Sequence, residues 1–171
     1  MTLSTLQSRI DAMETHNRWF ILFTIFIALL LAVMPLPVHW LWFRPAFCAL
    51  LVIFWTTRMP QELGVGFAWM VGLVEDLVTG ATLGAHALAL AVLAYFSLLT
   101  YRRTRAFNPG QQLMWVFVLV GINQLLGNWV HSLAGKPVPG LTFLWPALTT
   151  ALLWPLVTPW LHGMASRLQI R

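Results

Sequence analysis

Charge is scarce in this chain. Only 9% of its 171 residues are Asp, Glu, Lys or Arg, against roughly 25% in an ordinary soluble domain. Ten basic and five acidic side chains cannot build the polar shell that a soluble core needs, so a soluble enzyme and a charged disordered tail are both excluded. Cysteine is nearly absent as well. The single Cys48 lies inside an apolar run, which rules out an internal disulfide and a thiol metal cluster and leaves a small buried hydrophobe. Catalytic signatures are missing too. There is no H-E-x-x-H, no G-x-S-x-G and no glycine-rich phosphate loop, and the expectation is a non-enzyme without cofactor or metal. The net charge of +5 does not indicate nucleic acid, because its Arg residues are scattered between apolar blocks and form no continuous basic face.

Apolar residues and tryptophan are what the chain has in abundance. Hydrophobic residues make up 59% of it, ten of them Trp, and mean hydropathy is +0.76. A helix crossing about 30 Å of hydrocarbon needs about 20 mostly apolar residues. Six blocks approach that length, at approximately 19–36, 40–57, 63–80, 83–101, 112–133 and 141–162. The first has the flavour of a signal peptide. It runs into Pro35 and Pro37 without a small-x-small cleavage site, so it counts as a span. The predicted architecture is all-α, a single polytopic membrane domain over 1–171.

The second block is short, and charge decides whether it crosses. With six spans and both termini cytoplasmic, Arg9, Arg18, Arg58, Arg102, Arg103, Arg105, Arg167 and Arg171 lie inside, and only Arg44 and Lys136 lie outside. That agrees with the positive-inside rule, whereas removing the second span inverts the balance. On this topology Trp19, Trp55, Trp115 and Trp160 are expected near the inner interface and Trp40, Trp42, Trp129 and Trp145 near the outer one. Trp69 and Trp154 are expected to pack between helices. Arg44, Arg102, Arg103 and Arg105 are candidate interface anchors to lipid headgroups.

Ionisable residues inside hydrocarbon are costly and each is a functional candidate. Glu75 and Asp76 are the clear cases. Asp76 belongs to a stripe with Gly64, Ala68, Gly72 and Gly80, spaced by four. Small residues in such a stripe let another helix come close, so Asp76 faces protein or a cavity. Glu75 lies about 100° round the helix. A second stripe on the fifth span, Gly121, Gln124, Asn128 and His131, shares one face. Together with His86, these residues outline an outer-half polar cluster of Asp76, His86, Gln124, Asn128 and His131. The sixth span carries Pro146, Pro155 and Pro159, and Thr149 and Thr150 are expected to re-satisfy the carbonyls that proline frees.

Arg44-Pro45, Trp55-Thr-Thr-Arg58-Met-Pro60, the run GVGFAWMVGLVEDLVTGATLGAHALALAVLAYF from Gly64 to Phe96, Gln111-Gln112 and Leu152 to Pro155 occur in an order that resembles the rod shape-determining MreD family over essentially the whole chain. The specific part is the glycine-and-aspartate core from Gly64 to Gly84. The resemblance implies a multi-pass protein of the bacterial inner membrane, part of the cell-elongation machinery that maintains rod shape during lateral peptidoglycan synthesis. It implies MreC as the direct partner, alongside the glycosyltransferase RodA, an elongation-specific penicillin-binding transpeptidase and the actin-like MreB. It also implies a fold like the substrate-binding subunits of energy-coupling-factor transporters. Asp76 then matches the family's third-span acid, and Gly72, Gly80 and Gly84 match its glycines.

Two readings follow. In the first, the chain is a scaffold whose third-span stripe and neighbouring polar faces receive the membrane helix of MreC. The second is a small-molecule-binding subunit of a transporter, with the outer polar cluster as its pocket.

Overall fold

The computed structural model describes residues 3–35, 37, 43–104, 106–136, 140, 142 and 144–167. Among them are six helices and no strand: α1 (Leu3–Val33), α2 (Phe47–Arg58), α3 (Val65–Thr79), α4 (Ala85–Thr104), α5 (Pro109–Leu133) and α6 (Leu144–Arg167). Each expected span overlaps one of them, although α1 begins well before residue 19 and α6 runs past residue 162. Trp40, Trp42 and Arg105 lie outside the described residues. The helix ends follow local chemistry. α1 stops before Pro35, and Asn108 with Gln111 forms a capping box at the start of α5, where Pro109 occupies the first position.

α4, with 20 residues, and α5, with 25, are long and apolar enough to cross a membrane. α2 is only 12 residues long, about 18 Å at ~1.5 Å per residue. Its position accounts for that length. Every residue from Cys48 to Thr56 is buried, and α1, α3, α4, α5 and α6 all pack against it. α2 is the axis of the bundle, screened from the surroundings by its neighbours. Around it, α1 adjoins α3, α3 adjoins α4, α4 adjoins α5 and α5 adjoins α6.

Lipid tails are as apolar as leucine, so dispersion and interhelical hydrogen bonds carry the packing in such a protein. Trp55 is fully buried and donates its indole N–H to Thr24 Oγ1 at 3.0 Å. Its ring stacks edge-on with Phe20 and Phe54. This corrects the expectation that Trp55 sits at an interface: it fastens α1 to α2 in the core. Trp69, expected between helices, is 46% exposed, while Trp154 is buried as expected. At the other end of α2, the Ala46 N–H donates to Thr150 Oγ1 at 2.8 Å and ties it to α6.

The threonines of α6 do not repair the proline breaks. Pro155 and Pro159 free the carbonyls of Ala151 and Pro155. Thr149, Thr150 and Thr158 donate instead to the carbonyls of Trp145, Pro146 and Trp154. A threonine hydroxyl reaches three or four residues back along its own helix: Thr149 and Thr150 lie before Ala151 and Pro155 and cannot reach either carbonyl, and Thr158, three residues after Pro155, is given to Trp154 instead.

Candidate functional site

Asp76 ends α3 and begins α4. Its backbone carbonyl accepts the N–H of Gly80 and that of Ala81, a Schellman-type closure with Gly80 at φ 65°. The chain then turns through Thr82 and Gly84, the latter at φ 92°, both glycines supplying a left-handed backbone that other residues resist. The turn brings the first N–H groups of α4 over the Asp76 carboxylate. Oδ2 accepts from Gly84 N–H at 2.7 Å and from Ala87 N–H at 3.4 Å. Oδ1 accepts from His86 N–H at 3.0 Å and lies 2.8 Å from His86 Nδ1. The side chain is buried, and a carboxylate at a helix N-terminus is favoured by the unpaired N–H groups there.

Gly72 is one turn earlier on the same face. A Cβ there would overlap the backbone of Ala87, so only glycine lets the start of α4 come this close. The small-residue stripe therefore serves the α3–α4 hairpin: Ala68, Gly72 and Asp76 are all buried. Gly64 is the N-cap residue of α3, and neither it nor Gly80 has an atom within 4 Å of where a Cβ would be. The place expected for a partner helix at Gly72 is taken by α4 of the same chain.

Two histidines meet beyond the hairpin. The rings of His86 and His131 are 6.1 Å apart, and His131 Nδ1 is 3.0 Å from Thr82 Oγ1. The outer-half cluster thus brings Asp76, His86 and His131 together. Asn128 is half-buried on α5 and joins none of these contacts.

Glu75 points the other way, towards a cavity of about 310 Å³. Arg44, Glu75, His86, Asn123 and Gln124 supply its polar wall, and Ala32, Leu90 and Pro146 part of the rest. Glu75 and Arg44, of opposite charge, share this wall. Arg44 donates to the Leu31 carbonyl at 2.8 Å, a cation at the C-terminus of α1 where carbonyls lack helical partners. This gives Arg44 a role inside the fold beyond the interface anchor expected of it. Asn123 is 5% exposed, and its Oδ1 has no hydrogen-bond partner among the described residues. Sequence reading missed Asn123 because it falls one residue off the Gly121–Gln124–Asn128–His131 face, and the periodicity that found the stripe hid its neighbour. Arg102 and Arg103 are exposed at the end of α4, with Arg102 Nε donating to Tyr101 Oη at 2.9 Å.

Comparison with known proteins identifies the family. The family model described as rod shape-determining protein MreD matches residues 13–163. The rod shape-determining protein MreD of Haemophilus influenzae is 30% identical over 153 residues, which cover 89% of this chain and 92% of that protein. No solved structure matches the chain. With a family match over most of its length and a relative aligned nearly end to end, the chain belongs to the MreD family of membrane-associated rod shape-determining proteins.

Proposed function

We propose that the chain is a non-enzymatic, six-span scaffold of the bacterial inner membrane, one polytopic domain with cytoplasmic termini, that holds the membrane helix of MreC. RodA, the elongation-specific transpeptidase and MreB are its further associates in lateral wall synthesis. The observation that carries this reading is an apolar slot of about 310 Å³ bounded by α1, α2 and α6. Phe20, Phe23, Ile27 and Leu31 line it along α1, with Trp160 and Met164 facing them from α6. Those α1 positions recur at helical spacing over about 16 Å, the register in which one helix reads another. The docking place thereby moves from the third-span stripe to this slot.

Co-purification of tagged protein with MreC from mild detergent tests the reading. Ile27→Trp and Trp160→Ala change exposed slot residues, and each is expected to lower the MreC yield severalfold at unchanged abundance in the membrane. Wild-type yield from both variants overturns it.

A second reading, a small-molecule-binding subunit of a transporter, is favoured by the unpartnered Asn123 Oδ1 beside Arg44 and Glu75 in the outer cavity. It goes with the fold of energy-coupling-factor substrate-binding subunits that the family resemblance implies. A small molecule retained in intact-protein mass spectrometry and lost on Asn123→Leu supports it; an unadducted wild-type protein sinks it.

A further inference from the structure

The outer cavity, of about 310 Å³, lies where α1 and α3 finish and α2, α4 and α6 begin, with α5 along one side. We propose that it binds a primary ammonium joined to a phosphate, either the ethanolamine phosphate of a lipid headgroup or the same zwitterion free in solution. The inference rests on the reading in which this cavity holds a ligand, and it names that ligand's class.

Asn123 is 5% exposed, and its Oδ1 has no hydrogen-bond partner among the described residues. An amide oxygen only accepts, so a buried one on a cavity wall calls for an occupant that brings an N–H or O–H. Glu75 adds a carboxylate to the same wall, acceptor-only when ionised. His86 commits Nδ1 to Asp76 Oδ1 at 2.8 Å, and the neutral ring then offers Nε2 as a further acceptor. A wall of acceptors suits a primary ammonium, a compact cation with three N–H bonds to give.

Charge on the wall selects the rest of the ligand. Arg44 spends one guanidinium N–H on the Leu31 carbonyl at 2.8 Å and keeps the others of its fork for an oxyanion. The opposite charges of Arg44 and Glu75 cancel. A ligand with net charge would leave one of them unmatched away from water, which is costly, whereas a zwitterion matches both. Phosphate alone meets Glu75 with like charge, and a sugar brings O–H groups without charge. A quaternary ammonium has the charge of a primary one but no N–H, so it leaves Asn123 Oδ1 unpartnered. Arg44 precedes α2 at the end of the bundle, where a basic side chain reaches the level of lipid headgroups.

Native mass spectrometry of the full-length protein in mild detergent tests this. The protein is titrated with phosphatidylethanolamine and with phosphatidylcholine of the same acyl chains, and in parallel with free phosphoethanolamine and phosphocholine. One phosphatidylethanolamine per protein, held about tenfold more tightly than phosphatidylcholine, identifies a headgroup site. The same preference seen only between the free pair identifies a soluble source. Either supports the proposal when Asn123→Leu erases the preference and Ser132→Ala, exposed on α5 outside the cavity, keeps it. Asn123→Ala, which removes the acceptor without adding bulk, takes the place of a leucine variant that does not fold. Equal binding of the primary and quaternary forms overturns the proposal, and so does a preference that survives loss of the Asn123 acceptor. A molecule of another class, retained from the native membrane and lost on Asn123→Leu, overturns it while the ligand reading stands. A protein that holds nothing sinks both.

Discussion

His86 Nδ1 lies 2.8 Å from Asp76 Oδ1, and the same carboxylate receives the backbone N–H of His86 at 3.0 Å. One acid thus fixes both the side chain and the main chain of the second residue of α4. In an apolar helix a carboxylate is costly. Here that cost is offset by donors that would otherwise be unpaired at a buried helix end.

Asp76→Ala is therefore expected to destabilise the hairpin by about 2 kcal/mol or more, since each buried N–H left unpaired costs roughly 1–3 kcal/mol. Asp76→Asn keeps one acceptor oxygen and should lose less. Thermal unfolding in mild detergent gives the ranking, and an Asp76→Ala protein melting with the wild type would falsify the capping role.

Gly72 and Gly66 share α3 but face different surroundings. A methyl at Gly72 would press on the Ala87 backbone, which has no flexible end to move aside. We expect Gly72→Ala to cost about 1–3 kcal/mol. At Gly66 a methyl meets nothing within 4 Å, and Gly66→Ala should be neutral or stabilising by up to about 1 kcal/mol through helix propensity. Melting temperatures that fall together would show that the close approach at Ala87 is not what selects glycine.

Trp55→Phe keeps most of the ring packing against Phe20 and Phe54 and removes only the N–H to Thr24. The expected loss is about 1 kcal/mol. Thr24→Val should cost a similar amount, and the double variant should cost less than the sum, because both changes remove one bond. Full additivity in the melting data would mean that the two side chains stabilise the protein separately.

Six helices were legible because long apolar blocks end at proline, glycine and arginine, and both signals are local. Which neighbour a face meets is not local. The spacing of Gly72 and Asp76 announced a close helical contact, yet nothing in the spacing says that the contact is with α4 of the same chain. The donors to Asp76 are mostly main-chain groups of Gly84, His86 and Ala87, which no side-chain motif records. Trp55 and Trp69 look alike in sequence, and burial separated them only because α2 is enclosed by five helices and α3 is not. Asn123 escaped notice for a related reason: a face defined by a central axis cannot be drawn before that axis is known.

Asn123 also separates the two functional readings. Its Oδ1 is buried without a partner on the wall of the outer cavity, a condition that costs roughly 1–3 kcal/mol when nothing occupies the site. Asn123→Leu replaces the orphaned acceptor with apolar volume of similar length. If the cavity is only a gap between packed helices, the variant should melt higher than the wild type and support rod shape in a strain lacking the native protein. If a polar ligand works there, the same substitution should abolish shape complementation while the protein remains folded and in the membrane. Measured on the one variant, a raised melting temperature with rod shape kept supports the scaffold reading, and loss of rod shape from a folded, membrane-inserted protein supports the ligand reading.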